Sequence, residues 1–283
     1  LELPMIVVDI QRGGPSTGLP TKTEQSDLLH AMYGRHGESP LPIVASYSPA
    51  SCFWAAVEAA RIAIKYMTPV ILLSDGYIAN GAEPWRITAL GKLPDISRDF
   101  TTQPNVGDDF WPYLRDEMTL SRPWAIPGTP GLEHRIGGLE KADGTGNISY
   151  EPENHELMSE LRAAKIKAIE EDIDPLEWRG DEDASVLVLG WGGTYGAIGA
   201  ACRSLRQAGK KIAHAHIRHL SPFPRNTEEV LRRFDKVIVP ELNMGQLSKI
   251  VRAEFLIDAQ SITKMQGQPF RSSELEQMIL ERM

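Results

Sequence analysis

Cysteine is nearly absent from this 283-residue sequence, and the two that occur, Cys52 and Cys202, lie far apart. Neither a CxxC redox pair nor the thiolate set of an iron–sulfur cluster can be built from this chain alone. Each cysteine reads as a small buried hydrophobe on a helix. No run approaches the roughly 18 apolar residues of a membrane span, and the opening residues lack the basic and apolar regions of a secretory signal. A cytoplasmic location, with no membrane partner, is expected. Positive charge is also in deficit: 30 Lys and Arg stand against 38 Asp and Glu, a net charge of -8. An extended nucleic-acid footprint needs a basic face that displaces counterions, so that class is excluded. What is present is ordinary for a soluble fold, 42% hydrophobic and 24% charged, and the length suits two domains with a core each.

The chain is organised around residues 6–21, IVVDIQRGGPSTGLPT. A β-branched apolar run ending in Arg12 reads as a buried strand, and the loop behind it is dense in glycine, proline and hydroxyls. A planar guanidinium at the carboxyl end of a parallel-sheet strand suits a carboxylate or a phosphate. Backbone amides around Gly13, Gly14 and Gly18 add donors, and Ser16 and Thr17 add hydroxyls. A tight turn with a surface ion pair is the competing reading. Gly13 and Gly18 have the spacing that opens a P-loop, but Leu19 and Pro20 stand where that motif needs Lys and Ser or Thr, which excludes it.

Periodicity predicts a helix over 24–33 capped by Thr23, a strand over 42–47, a helix over 49–67 and a strand over 69–75, a parallel crossover unit. His36, in the turn after the first helix, is a candidate proton carrier or partner contact, against simple solvation. From 80 to 150 the pattern dissolves into proline, glycine and aromatics, which predicts an irregular arm packed on another subunit or domain. Trp111, Tyr113, Arg115 and Trp124 are its expected anchors. A hairpin is expected within 134–150, turning at 143–146, then an amphipathic helix over 154–170 and an acidic boundary at 172–183.

Past that boundary a strand at 185–190 leads into the glycine-rich turn GWGGTYG and a helix to Gln207. Gly190, Gly192 and Gly196 approximate a dinucleotide fingerprint, which raises a nicotinamide-dependent oxidoreductase as an alternative. The following strand, 211–219, ends in histidines rather than the acidic residue that holds an adenine ribose. His214, His216 and His219 match no standard metal-ligand spacing. A strand over 236–241, a helix over 247–256, a strand near 261–264 and a helix over 273–280 capped by Ser272 or Ser273 close the chain.

The string QRGGPSTG at 11–18, followed by TEQSDL at 23–28, resembles the α subunit of 2-oxoacid:ferredoxin oxidoreductases, the 2-oxoglutarate type in particular. The likeness continues through 69–76, 191–196, 222–224, 240–245 and 264–270. It implies an α/β fold: a thiamine-diphosphate pyrimidine-type parallel-sheet domain over 1–180, incomplete at its start, and a transketolase C-terminal-like domain over 181–283. It implies that Arg12 binds the substrate carboxylate, with Thr21 beside the 2-oxoacid. Gly13, Gly14, Ser16 and Thr17 are further candidates on the loop. Glu133 and His134 join them because a Gly-Leu-Glu-His string at 131–134 matches a substrate-proximal excursion of the family. A γ-type domain and a YPITP-like segment normally precede this strand and are expected on a longer polypeptide.

The implied reaction is oxidative decarboxylation of 2-oxoglutarate to succinyl-coenzyme A with reduction of ferredoxin. Thiamine diphosphate, Mg²⁺ and a [4Fe-4S] cluster are expected mainly on a β subunit, with coenzyme A as co-substrate. The chain alone is expected to be inactive. A noncatalytic module that only packs such a partner is the second reading.

Overall fold

The computed structural model describes residues 1–283. The first part runs β1 (Met5–Gln11), α1 (Leu28–Tyr33), β2 (Ile43–Ala45), α2 (Ser51–Tyr66), β3 (Pro69–Asp75), α3 (Gly76–Ala79) and, after a long irregular stretch, α4 (Pro152–Ala168). The second runs β4 (Trp178–Gly180), β5 (Val186–Trp191), α5 (Tyr195–Gln207), β6 (Ile212–Ile217), β7 (His219–Ser221), α6 (Thr227–Arg232), β8 (Lys236–Glu241), α7 (Gln246–Phe255), β9 (Ala259–Thr263) and α8 (Ser272–Leu280).

The expected crossover forms. β2 and β3 pair in parallel, Ile43 opposite Ile71, and β1 pairs in parallel on the other side of β3. Small residues let α2 lie close to this sheet: Ala55, Ala59, Ile62 and Ala63 pack on Val44, Val70 and Leu72, with Ile166 of α4 beyond them. Ser48, ahead of α2, accepts from the Ser51 amide at 3.3 Å.

β1 corrects the expectation of a buried strand. It is the edge of the four-stranded sheet β1-β3-β2-β7, and Met5, Ile6, Val7, Val8 and Ile10 are 37–56% exposed. A strand apolar on both faces has the sequence of a sheet interior, but this chain offers nothing to pair with its outer edge.

The helix expected over 24–33 begins only at Leu28. The backbone amide of Gln25 donates instead to Leu242 O at 3.0 Å, which draws residues 24–27 away from helical geometry. Thr23 is no cap, because its hydroxyl donates to Asp75 Oδ1 at 3.0 Å. At α8 the residue before the helix is Arg271, whose amide is held by Glu274, so neither serine serves as the cap.

The second sheet has the order β4-β6-β5-β8-β9, parallel except for β4. α5 and α8 cover one face, where Val188, Ile198, Cys202 and Leu275 meet. The other face is shared with the first part of the chain: Leu28, Ile43 and Leu73 belong to one core with Leu189, Trp191 and Leu247. The strand expected over 211–219 therefore splits. Ala45 N donates to Arg218 O at 2.8 Å, and β7 crosses to pair antiparallel with β2 in the first sheet.

Residues 80–150 contain one short 3-10 turn and isolated bridges. The hairpin is present as a Lys141–Ile148 bridge with its turn at 143–146, where Gly144 and Gly146 take positive φ. The four expected anchors turn inward. Tyr113 is buried, Arg115 pairs with Glu2, Trp124 packs on Phe100 at 5.0 Å, and Trp111 lies against Gly144. The arm folds onto its own chain because a buried charge cluster, Glu2 with Arg115 and Lys165, ties it to the residues ahead of β1 and to α4.

A candidate carboxylate-binding site

β1 delivers Arg12 into a closed loop. Gly13 N donates to Lys22 O at 3.0 Å, Leu19 N to Gly13 O at 2.8 Å, and Lys22 N to Leu19 O at 3.0 Å. Gly18 makes that closure possible. Its φ is +48°, and a Cβ there would lie 2.1 Å from Gly13 O. Gly18→Ala is expected to break the Leu19–Gly13 bond, accelerate hydrogen exchange at the Leu19 amide and cost about 1–2 kcal/mol of stability. Unchanged exchange at Leu19 would show that the loop tolerates a side chain.

Arg12 is half-buried and forms no ion pair; its guanidinium donates to Thr17 O within its own loop. A cation whose only protein partner is a neutral carbonyl keeps its charge available for an anionic ligand. Gly14, Ser16, Thr17, Gly18 and Thr21 are exposed around it, and Gly13 is buried at the loop's base. Glu24 lies against Gly13, and burial raises its carboxyl above the usual range.

The base of the loop is gripped from behind. Ser26 Oγ donates to Arg12 O at 3.2 Å, and Gln11 accepts from Asp27 N at 3.1 Å while donating to Ser74 O on β3 at 3.0 Å. Asp75, at the end of β3, accepts from Thr23 Oγ1, Tyr77 N, Ile78 N and Gly193 N. Burial nonetheless raises its pKa, against the pull of those donors. In the sequence Asp75-Gly76 looks like a turn or sheet-top residue. Its role as cap of α3 and link to the second sheet depends on Gly193, which lies far along the chain.

The remaining candidates stand apart from this loop. His36 is exposed in the turn after α1, and no hydrogen bond or ion pair joins it to Arg12. Glu133 is exposed, while His134 bonds Leu132 O through Nδ1 at 2.7 Å and meets the edge of Phe110. The structure thus groups Arg12, Gly13, Gly14, Ser16, Thr17 and Thr21 on one loop, and His36, Glu133 and His134 lie on other segments without a hydrogen bond to it.

The glycine turn after β5 does not serve a dinucleotide. Gly193 N is taken by Asp75 Oδ2 at 3.0 Å, and Gln25 Nε2 occupies the space beside Gly192. A pyrophosphate there would face the Asp75 carboxylate, which rules against a nicotinamide dinucleotide at this turn. His214 and His216 lie on one face of β6, but no three ligating side chains converge anywhere on a metal-sized site. Burial, aided by Arg206 and Arg179, lowers the His214 pKa to about 4, and burial lowers that of His216 to about 3. Both rings are neutral at pH 7.

The family model for pyruvate flavodoxin/ferredoxin oxidoreductase, thiamine-diphosphate-binding, matches residues 1–152, the part that carries the Arg12 loop. The chain belongs to this family. The model of the pyruvate:ferredoxin oxidoreductase core domain II matches residues 184–275, the region of the second sheet.

Among curated relatives of this oxidoreductase family, the 2-oxoglutarate oxidoreductase subunit KorA of Mycobacterium tuberculosis is 58% identical over 98% of this chain and 42% of its own. The α subunit of 2-oxoacid:ferredoxin oxidoreductase 1 from Aeropyrum pernix is 36% identical over 99% of this chain and 44% of its own. A solved 2-oxoglutarate:ferredoxin oxidoreductase from Magnetococcus marinus, with 2-oxoglutarate, coenzyme A and succinyl-CoA bound, superposes with a TM-score of 0.84 at 35% identity. That superposition covers 99% of this chain and 49% of the other. The chain spans less than half the length of each of these three proteins. No helix is long and apolar enough to cross a membrane.

Proposed function

We propose that this chain forms part of the α subunit of a cytoplasmic 2-oxoglutarate:ferredoxin oxidoreductase and binds the substrate carboxylate on Arg12. The observation that carries the reading is the Arg12 guanidinium, held in a glycine-rich loop without an acidic partner. Similarity to a structure with 2-oxoglutarate bound supports the choice of substrate. Arg12 would grip the carboxylate through two parallel N–H donors, and Thr21 would add a hydroxyl from the far end of the loop. Their contribution is orientation, presenting the keto carbon at a fixed distance and angle.

The donor set of the chain supports a division of the cofactors between subunits. Two cysteines on separate helices, one of them buried with its thiol pushed up to about 12 by burial, do not fit a [4Fe-4S] cluster. No group of three or more His, Cys, Asp or Glu side chains gathers at a metal-sized site. We assign the cluster to a β subunit on the thiolate count, and Mg²⁺ and the diphosphate to it on the family resemblance. The match of residues 1–152 to a thiamine-diphosphate-binding family supports a supporting role near that cofactor, which supplies the carbanion chemistry when bound. Residues 1–180 and 181–283 are proposed as the chain's two units, with β4 at 178–180 pairing in the second sheet and β7 at 219–221 crossing into the first.

The uncovered apolar side chains of β1, with exposed Trp85, Ile87 and Leu90 in the arm, give the chain the kind of surface that partners cover. A β subunit and the γ-type and YPITP-like segments are the proposed occupants, with ferredoxin as electron acceptor.

In the assembled enzyme, 2-oxoglutarate is expected to protect Arg12 from an arginine-selective dicarbonyl reagent, read by peptide mass spectrometry. Coenzyme A should give no such protection. Equal labelling of Arg12 with and without 2-oxoglutarate would favour the noncatalytic packing module.

A further inference from the structure

Between the Arg12 loop and the second sheet lies one buried side chain that bonds two backbone segments, at Trp191 and at Leu242. Gln25 Nε2 donates to Trp191 O at 2.8 Å, and its Oε1 accepts from Leu242 N at 2.9 Å. The Gln25 amide donates back to Leu242 O at 3.0 Å, and its carbonyl accepts from Asn243 Nδ2 at 2.7 Å. Both polar backbone groups of Leu242 are thus used by Gln25, and the residue is fully buried.

What receives Gln25 is itself rigid. Glu241, fully buried at the end of β8, accepts from Trp191 Nε1, Asn243 Nδ2, Leu247 N and Ser248 N. These donors join the ends of β5 and β8 to the first turn of α7. Gln246, on α7, accepts from Leu29 N at 2.9 Å and donates to Ser26 O at 2.7 Å.

The segment so held is the one that grips Arg12. Lys22 O receives Gly13 N, Ser26 Oγ reaches Arg12 O, and Asp27 N reaches Gln11. Residues 22–27 therefore hold β1 on both sides of Arg12, with Gln25 in their middle. We propose that Gln25 is a positioning residue through which the second sheet sets the place of the substrate-carboxylate loop. This rests on the reading of Arg12 as the carboxylate anchor. A buried amide satisfied at both ends has one good geometry, so its loss releases the segment without removing any group that touches substrate.

The test uses Gln25→Ala in the assembled enzyme, with Gln246→Ala as a half-buried second variant that spares the core. Gln25→Ala is expected to raise the 2-oxoglutarate KM about tenfold, since small displacements of a binding group are costly. The coenzyme A KM should stay unchanged, and hydrogen exchange in residues 12–22 should accelerate without substrate. Gln246→Ala should move both readouts the same way by less. Unchanged 2-oxoglutarate KM and loop exchange in both variants would overturn the proposal, as would equal rises in both substrate KM values. Failure of the underlying reading looks different: Arg12→Ala would leave the 2-oxoglutarate KM unchanged while Gln25→Ala still loosened the loop.

Discussion

Arg12→Ala in the assembled enzyme is expected to lower kcat/KM for 2-oxoglutarate by about 100-fold, the loss of a bidentate charge-assisted pair worth about 3 kcal/mol. The loss should appear in KM and in kcat together, because on the proposed reading the guanidinium would both bind the substrate and orient its keto carbon. Arg12→Lys should recover little. An ammonium restores the charge but not the planar fork. Thr21→Val, which deletes one neutral hydrogen bond at an exposed position, should cost only about threefold to tenfold. Steady-state rates with varied 2-oxoglutarate at saturating coenzyme A read all three. Kinetics indifferent to both Arg12 variants would remove the carboxylate assignment.

The second large effect concerns stability. Glu2 is bound bidentately by Arg115, at 2.6 and 2.7 Å, and also by Lys165, while Arg122 Nε donates to the Glu2 carbonyl at 3.1 Å. Removing the one carboxylate would leave Arg115 and Lys165 buried without a counter-charge, and Glu2→Ala is expected to cost about 3–5 kcal/mol in urea unfolding. Burial raises the Glu2 pKa, but hydrogen bonds and charge from Arg115 and Lys165 outweigh it and hold the carboxyl at about 2 against an ordinary 4.5.

A folded-state pKa below the unfolded one means that the unfolded chain binds more protons. The stabilisation is therefore complete above about pH 4.5 and is lost as pH falls toward 2. Lys165 also moves down, to about 8, because burial together with Arg115 and Arg122 outweighs the attraction of Glu2. One anion among several cations keeps its own charge easily and cannot fully compensate each of theirs. Stability should thus rise modestly between pH 8 and 10.5 as the unfolded chain alone retains that proton. A Glu2→Gln variant with the same acid-side slope as the parent would show that this cluster does not govern it.

Much of the site was legible in residue order. Arg12 ends a β-branched run, and Gly13, Gly14 and Gly18 with Ser16, Thr17 and Thr21 mark a loop whose backbone must turn tightly, so the local signal located the loop that the structure closes. His36, Glu133 and His134 were harder to place, because their chemistry is general and nothing nearby in sequence says where a turn or an arm will lie. Trp111, Tyr113, Arg115 and Trp124 have the composition of an interface, and the same composition packs a chain on itself when a buried ion pair such as Glu2–Arg115 ties it down. Gln25 stood in the TEQSDL string and in the helix expected over 24–33, but its role had no local signal, since it depends on Trp191, Leu242 and Asn243 surrounding it.

By itself the sequence determined the periodic elements, the parallel crossover of β2, α2 and β3, the glycine loop after Arg12 and the lack of thiolates for a cluster, because each follows from neighbouring residues or from counts. Tertiary contacts settled that β1 is the edge of this chain's first sheet, that β7 crosses into that sheet, and that Asp75 fills the glycine turn a dinucleotide would need. They alone decided that Gln25 ties the segment behind Arg12 to the ends of β5 and β8. These features depend on contacts between residues far apart in the chain, and hydrogen-bond satisfaction across such distances leaves no periodic trace in sequence.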